Sequence, residues 1–116
     1  MENLRKRFDD FLEERDWKQF HTPKSLSMAI SVEAAELMEI FQWHDNVDPK
    51  DIKEDEEIMA RVQEELADVI IYCISMANRL DLDIEEIVEN KMKENEKRFD
   101  KETADKIMEN ARKWKE

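Results

Sequence analysis

The chain has no glycine, two prolines (Pro23 and Pro49), one cysteine (Cys73) and two histidines (His21 and His44). Without glycine the tight turns of an all-β fold lose their most tolerant residue, and neither a P-loop nor a Rossmann phosphate turn can be built. A single cysteine rules out an internal disulfide, so the cytoplasm is the expected compartment. Long apolar runs are missing too: the longest, Val69 to Ile74, is far too short to span a membrane. Met1-Glu-Asn-Leu-Arg-Lys-Arg leads into acidic residues rather than an apolar stretch, so no signal peptide is expected. Basic residues are outnumbered, 19 Lys+Arg against 31 Asp+Glu. The net charge of −12 makes nucleic acids and anionic membranes poor partners.

What is present favours helix. The 116 residues suit one domain, and 43% of them are charged against 41% hydrophobic. Leu4, Phe8, Phe11, Leu12 and Arg15 line one face of a helix from residue 2 to about 16. Thr22-Pro23 opens a second helix to about Trp43, and Asp48-Pro49 repeats the device. A long third helix begins within 50–57 and runs to Leu80. Asp83 with Glu86 starts a fourth, ending near Phe99, and Thr103 caps a last one striped by Ile107, Ala111 and Trp114. The expectation is an all-α fold, a four-helix-bundle core with an additional C-terminal helix. Leu26 to Phe41 and Leu66 to Met76 are apolar nearly all round, which points to an oligomer, a dimer or tetramer.

Carboxylates three apart are common in so acidic a chain, and most such pairs are solvated faces. Glu33/Glu36 and Glu65/Asp68 differ, because each pair projects from a strongly apolar helix. Ionised carboxylates in apolar surroundings must be paired, protonated or on a metal. The nearest basic residues, Arg61 and Arg79, lie at the edges of these segments. Either these residues lie on the polar edges of their helices and find water, or the physical answer is a divalent cation, or several, and an all-oxygen ligand set favours Mg²⁺ or Mn²⁺ over zinc. A di-iron carboxylate bundle is excluded. It needs Glu-x-x-His, and the residues three before His21 and His44 are Lys18 and Phe41.

The fourth helix has a second anomaly. Its stripe of Ile84, Ile87 and Val88 should continue at 91, 95 and 98, where Lys91, Asn95 and Arg98 stand instead. They either answer the helix dipole or meet a phosphate chain. Trp17, Phe20, His21, Trp43 and Tyr72 can likewise be core or a stacking surface for a base.

Four blocks in order resemble a known family. Arg15-Asp-Trp-Lys-Gln-Phe-His-Thr-Pro-Lys-Ser-Leu26, Glu39-Ile-Phe-Gln-Trp43, Glu64-Glu-Leu-Ala-Asp-Val-Ile-Ile-Tyr72 and Lys91-Met-Lys-Glu-Asn95-Glu-Lys-Arg98 join the paired motifs Glu33-x-x-Glu36 and Glu65-x-x-Asp68. Together they resemble the all-α nucleoside triphosphate pyrophosphohydrolases, the MazG-like superfamily, and within it the dCTP pyrophosphatase branch. The likeness covers residues 4 to about 100, so 1–100 is the expected catalytic domain and 101–116 an amphipathic addition. One departure is Ala35, where the family commonly has glycine. The resemblance implies Mg²⁺-dependent hydrolysis of a nucleoside triphosphate, dCTP or a modified dCTP among the candidates, to the monophosphate and pyrophosphate. It implies metal binding by Glu33, Glu36, Glu65 and Asp68, with Glu33 or Glu36 activating the water. Lys91, Asn95 and Arg98 would meet phosphate or sugar, and Trp17, Trp43 and Tyr72 would shape the base pocket, to which the aromatic cluster itself adds Phe20 and His21. The rival reading is a non-catalytic helical assembly or nucleotide-binding module.

Overall fold

The computed structural model describes residues 1–44 and 48–115; the connection expected between the second and third helices, and the final residue of the last, lie partly outside them. Among the described residues the regular elements are six α-helices and one short 3-10 helix, with no strand. The helices are α1 (Glu2–Glu14), α2 (Pro23–Phe41), α3 (Pro49–Glu54), α4 (Glu56–Arg79), α5 (Ile84–Arg98) and α6 (Lys101–Lys115); the 3-10 turn is Lys18–Phe20. None of them is long and apolar enough to cross a membrane.

The helix starts follow from side-chain caps. Thr22 Oγ1 accepts from the Ser25 N–H at 3.2 Å, with Pro23 in the first turn of α2. Asp48 Oδ1 accepts from the Lys50 N–H at 2.9 Å and Asp83 Oδ1 from the Glu86 N–H at 3.1 Å. One start agrees with the sequence reading and one corrects it. The long helix begins at Glu56, inside the expected 50–57 window, because Asp55 is extended (φ −92°, ψ 100°) and accepts from the Ile58 N–H at 3.1 Å; the short α3 precedes it. Thr103 does not cap α6; it sits inside, and its N–H donates to Asp100 Oδ1 at 2.8 Å. That bond holds the Asp100 carboxyl below its ordinary range.

Two helix ends show how the chain manages without glycine. Asp16 and Asp81 both take φ 54°, the left-handed region. Around them the Trp17 N–H reaches the Leu12 carbonyl at 2.9 Å, and the Leu82 N–H reaches the Ala77 carbonyl at 2.8 Å. Each is the wider of the two bonds in a Schellman turn, with the aspartate where glycine is usual. This is why α1 stops at Glu14 rather than near 16.

The chain forms two compact units, Met1–Leu82 and Asp83–Glu116. In the first, α2 packs along α4, and α1 and α3 also lie against α4. Its buried apolar residues are Leu12, Leu26, Ile40, Ile74 and Ala77. Arg5 and Asn78 fasten α1 to α4 reciprocally: Arg5 Nε donates to Asn78 Oδ1 at 3.0 Å, and Asn78 Nδ2 to the Arg5 carbonyl at 3.3 Å. Lys18 Nζ reaches Asp9 Oδ2 at 3.0 Å and lies 3.7 Å from Glu13 Oε2, holding the 3-10 turn on α1. In the second unit, Ile87, Val88 and Met92 of α5 and Ile107, Met108 and Trp114 of α6 are exposed.

The left-handed aspartates give a direct test. Asp81→Gly relieves the Cβ crowding and should leave thermal stability unchanged or raised. Asp81→Val places a β-branched residue there and should cost about 1–2 kcal/mol in denaturant unfolding. Equal losses for both would mean that residue 81 is not left-handed in solution.

Candidate metal centre

Helical spacing puts Glu33 and Glu36 one turn apart on α2, and Glu65 and Asp68 one turn apart on α4. Packing of α2 on α4 brings three of these together: carboxylate oxygens of Glu33, Glu36 and Glu65 all lie within 4.8 Å of one another. Oε2 of Glu33 and Oε2 of Glu65 are buried, and among the described residues no group outside the cluster donates a hydrogen bond to either. Asp68 falls outside this trio. It is half-buried one turn further along α4, and its charge still acts on both Glu33 and Glu65. Among the described residues none of the four carboxylates is in an ion pair.

Acceptors gathered without donors resist ionisation. The Glu33 carboxyl is pushed up to about 7, first by a hydrogen bond to Glu65, then by burial, then by its contact with Glu36 and the charges of Glu36 and Asp68. For Glu65 the bond from Glu33 favours the ionised form, but burial, Glu36 and Asp68 outweigh it and the group is also raised. Two buried oxygens without donors, in an oxygen-only ligand set, fit a hard divalent cation. A proton shared between Glu33 and Glu65 meets part of the same need when no cation is bound.

The aromatic candidates are partly gathered. His21 Nδ1 lies 2.8 Å from Ser75 Oγ on α4, and the imidazole sits 6.4 Å from the Tyr72 ring and 6.2 Å from that of Phe8. Burial lowers the His21 pKa, and the Arg79 charge adds to that, so the uncharged ring is favoured. Trp17 packs edge-on against Phe11, with ring centres 5.8 Å apart. Phe20 and Trp43 are open to solvent, Trp43 84% exposed, and among the described residues neither touches another ring. Neither is core of the single chain.

Lys91, Asn95 and Arg98 share one face of α5, in the second unit. Lys91 Nζ lies 3.4 Å from Glu94 Oε1, and the Arg98 guanidinium sits 5.2 Å from the centre of the Phe99 ring. The residue missed by sequence reasoning is Ser75. Its signal was a lone hydroxyl in an apolar run, one turn after Tyr72 on the same face.

The raised carboxyl fixes the sign of a pH effect. Its folded pKa exceeds the unfolded value, so the metal-free protein takes up a proton on folding between the ordinary glutamate range, near 4.5, and about 7. Its stability should therefore rise as pH falls through that window, before general acid unfolding begins. Melting curves in EDTA between about pH 8 and pH 5 read this directly. Glu33→Gln should flatten the rise and stabilise the protein at the alkaline end. A melting temperature that falls steadily with pH would contradict the clustering.

The profile of the MazG-like family matches residues 28–115. dCTP pyrophosphatase 1 of Mus musculus is 38% identical over 99 residues, which cover 85% of this chain and 58% of that protein. The Homo sapiens protein of the same name gives the same identity and shares. The chain thus spans less than two thirds of the length of these curated relatives. Among solved structures, a pyrophosphatase from Archaeoglobus fulgidus DSM 4304 superposes with a TM-score of 0.77 at 38% identity, over 87% of this chain and 93% of that one. With its family profile matched over most of its length and its paired carboxylates meeting between α2 and α4, the chain belongs to the MazG-like family.

Proposed function

We propose that this protein is a Mg²⁺-dependent nucleoside triphosphate pyrophosphohydrolase, releasing a monophosphate and pyrophosphate, with dCTP or a modified dCTP as its substrate. The carrying observation is the trio Glu33, Glu36 and Glu65, with its two buried oxygens that no described group outside the cluster bonds. Relatives named dCTP pyrophosphatase at 38% identity support the reaction and the base.

Glu33, Glu36 and Glu65 would hold the cation, with Asp68 one turn away adding charge or completing the set through water. When bound, the metal neutralises triphosphate charge and lowers the pKa of a bound water. Glu33 or Glu36 takes the proton from the water that attacks the α-phosphorus. Lys91 and Arg98 stabilise charge on the departing pyrophosphate, and Asn95 bonds the sugar or a phosphate oxygen. The base is met by Trp17, Phe20, His21, Trp43 and Tyr72, and the exposure of Trp43 suits a stacking surface.

In this reading the apparatus lies within residues 1–100, α6 is an addition, and the core is completed as a four-helix bundle in an oligomer. The single chain leaves Met28, Val32 and Met38 of α2 and Leu66 and Ile70 of α4 exposed. Leu4, Phe8 and Phe11 with Ala67, Ile70, Ile71 and Ile74 line an apolar groove of about 440 Å³ between α1 and α4. Surfaces of that kind are ordinarily covered by a partner. Light scattering should give a dimer or tetramer at micromolar concentration, and a 14.0 kDa monomer would contradict it.

Turnover is tested by pyrophosphate release across deoxy- and ribonucleoside triphosphates. Release is expected with Mg²⁺, fastest with a cytosine nucleotide, and abolished by excess EDTA. Glu65→Gln should lower kcat at least about a hundredfold with the melting temperature kept or raised. No release from any nucleotide would leave a non-catalytic helical module as the better description.

A further inference from the structure

Ser75 is the one buried polar residue of the described chain, 1% exposed in the last turns of α4. Ser27 and Ser31 of α2 turn their hydroxyls back onto helix carbonyls. Ser75 does not: its hydrogen-bond partner is the His21 ring, Nδ1 to Oγ 2.8 Å.

A hydroxyl has one proton to give, and leaving it unmatched in so closed a site is costly. If the His21 Nδ1–H donated to Oγ, the serine proton would have no acceptor among the described residues. If the serine O–H donates to Nδ1, both groups are satisfied. The neutral ring then carries its single hydrogen on Nε2. The ring plane is fixed from two sides, by Phe8 at 6.2 Å and Tyr72 at 6.4 Å.

We infer that Ser75 is a positioning residue that locks His21 in the Nε2–H form, making it a fixed hydrogen-bond donor to an acceptor on the edge of a pyrimidine base. The inference rests on the base-pocket role proposed for His21. Its consequence is selectivity. O2 accepts in both cytosine and uracil, but N3 accepts in cytosine and carries a hydrogen in uracil. A ring that cannot exchange its donor for an acceptor, placed at N3, accepts the first base and opposes the second. Ser75→Ala removes the lock. The imidazole can then present either face of its chemistry and serves the two bases more evenly.

The first test needs no change at either residue. In the ¹⁵N-labelled His44→Gln protein His21 is the sole histidine, and long-range ¹H–¹⁵N correlation separates the tautomers. The expected spectrum shows Nδ1 as the unprotonated nitrogen and Nε2 as the protonated one; the opposite assignment, or averaged shifts, would overturn the inference. The second test compares kcat/KM for dCTP and dUTP with Mg²⁺. Ser75→Ala should cut the cytosine preference about tenfold, mostly through KM, with kcat for dCTP held within about twofold. Ser75→Cys, a near-isosteric weak donor, should recover part of it. An unchanged preference in Ser75→Ala overturns the inference. If His21→Gln leaves the preference intact while the wild-type spectrum is as expected, the base-pocket role fails, and the inference falls with it for that separate reason.

Discussion

Carboxylate oxygens crowded between two packed helices set the terms for the rest of this molecule. Glu33, Glu36 and Glu65 bring acceptors to one point, Asp68 adds its charge, and no donor lies among them. A fold that only needed stability would place leucine or alanine here, because buried charge without partners is destabilising. The apolar flanks of α2 and α4 hold the helices together in spite of that repulsion. The cluster lacks positive charge, a need that a cation would meet, and the raised Glu33 carboxyl reports the same tension as a proton affinity.

The elements around α4 are tied to it by polar pins rather than by a thick core. Arg5 and Asn78 bond reciprocally between α1 and α4; the bond from the Arg5 guanidinium is of the charged kind, about 1.5–3 kcal/mol, and the return bond to the Arg5 carbonyl of the neutral kind, about 0.5–1.5 kcal/mol. Lys18 binds Asp9 and Glu13 and so holds the 3-10 turn on α1, while His21 meets Ser75 directly. The Lys18 pair is largely exposed, where such contacts contribute only about 0–1 kcal/mol, so its part is to orient the turn more than to stabilise it. Trp17, Phe20 and His21 reach their positions through this turn.

Much of this was legible in one dimension. The caps at Thr22, Asp48 and Asp83 and the apolar context of Glu33 and Glu65 can be read from spacing, because both depend on residues within one helical turn. The start of the long helix was bounded to 50–57, but the separate short α3 before Asp55 could not be read. In Glu54-Asp-Glu-Glu57 every residue is compatible with helix, and only the Asp55 cap to Ile58 divides α3 from α4. Asp100 and Thr103 are both good caps three residues apart, and sequence gives no means of choosing between them. The left-handed turns at Asp16 and Asp81 were hidden because glycine, their usual marker, is missing. That three carboxylates converge while Asp68 stays one turn away depends on where α2 crosses α4, which no local pattern encodes. Ser75 was visible as an interruption in an apolar run, but its partner lies 54 residues away.

Manganese titration followed by electron paramagnetic resonance measures cation binding at this crossing without requiring turnover. Wild-type protein should bind Mn²⁺ saturably and lose that binding when Mg²⁺ is added in excess. Glu33→Gln and Glu65→Gln should weaken it at least about tenfold, whereas Glu57→Gln, an exposed glutamate in the first turn of α4, should leave it unchanged. Equal binding by all four proteins would contradict a metal centre between α2 and α4.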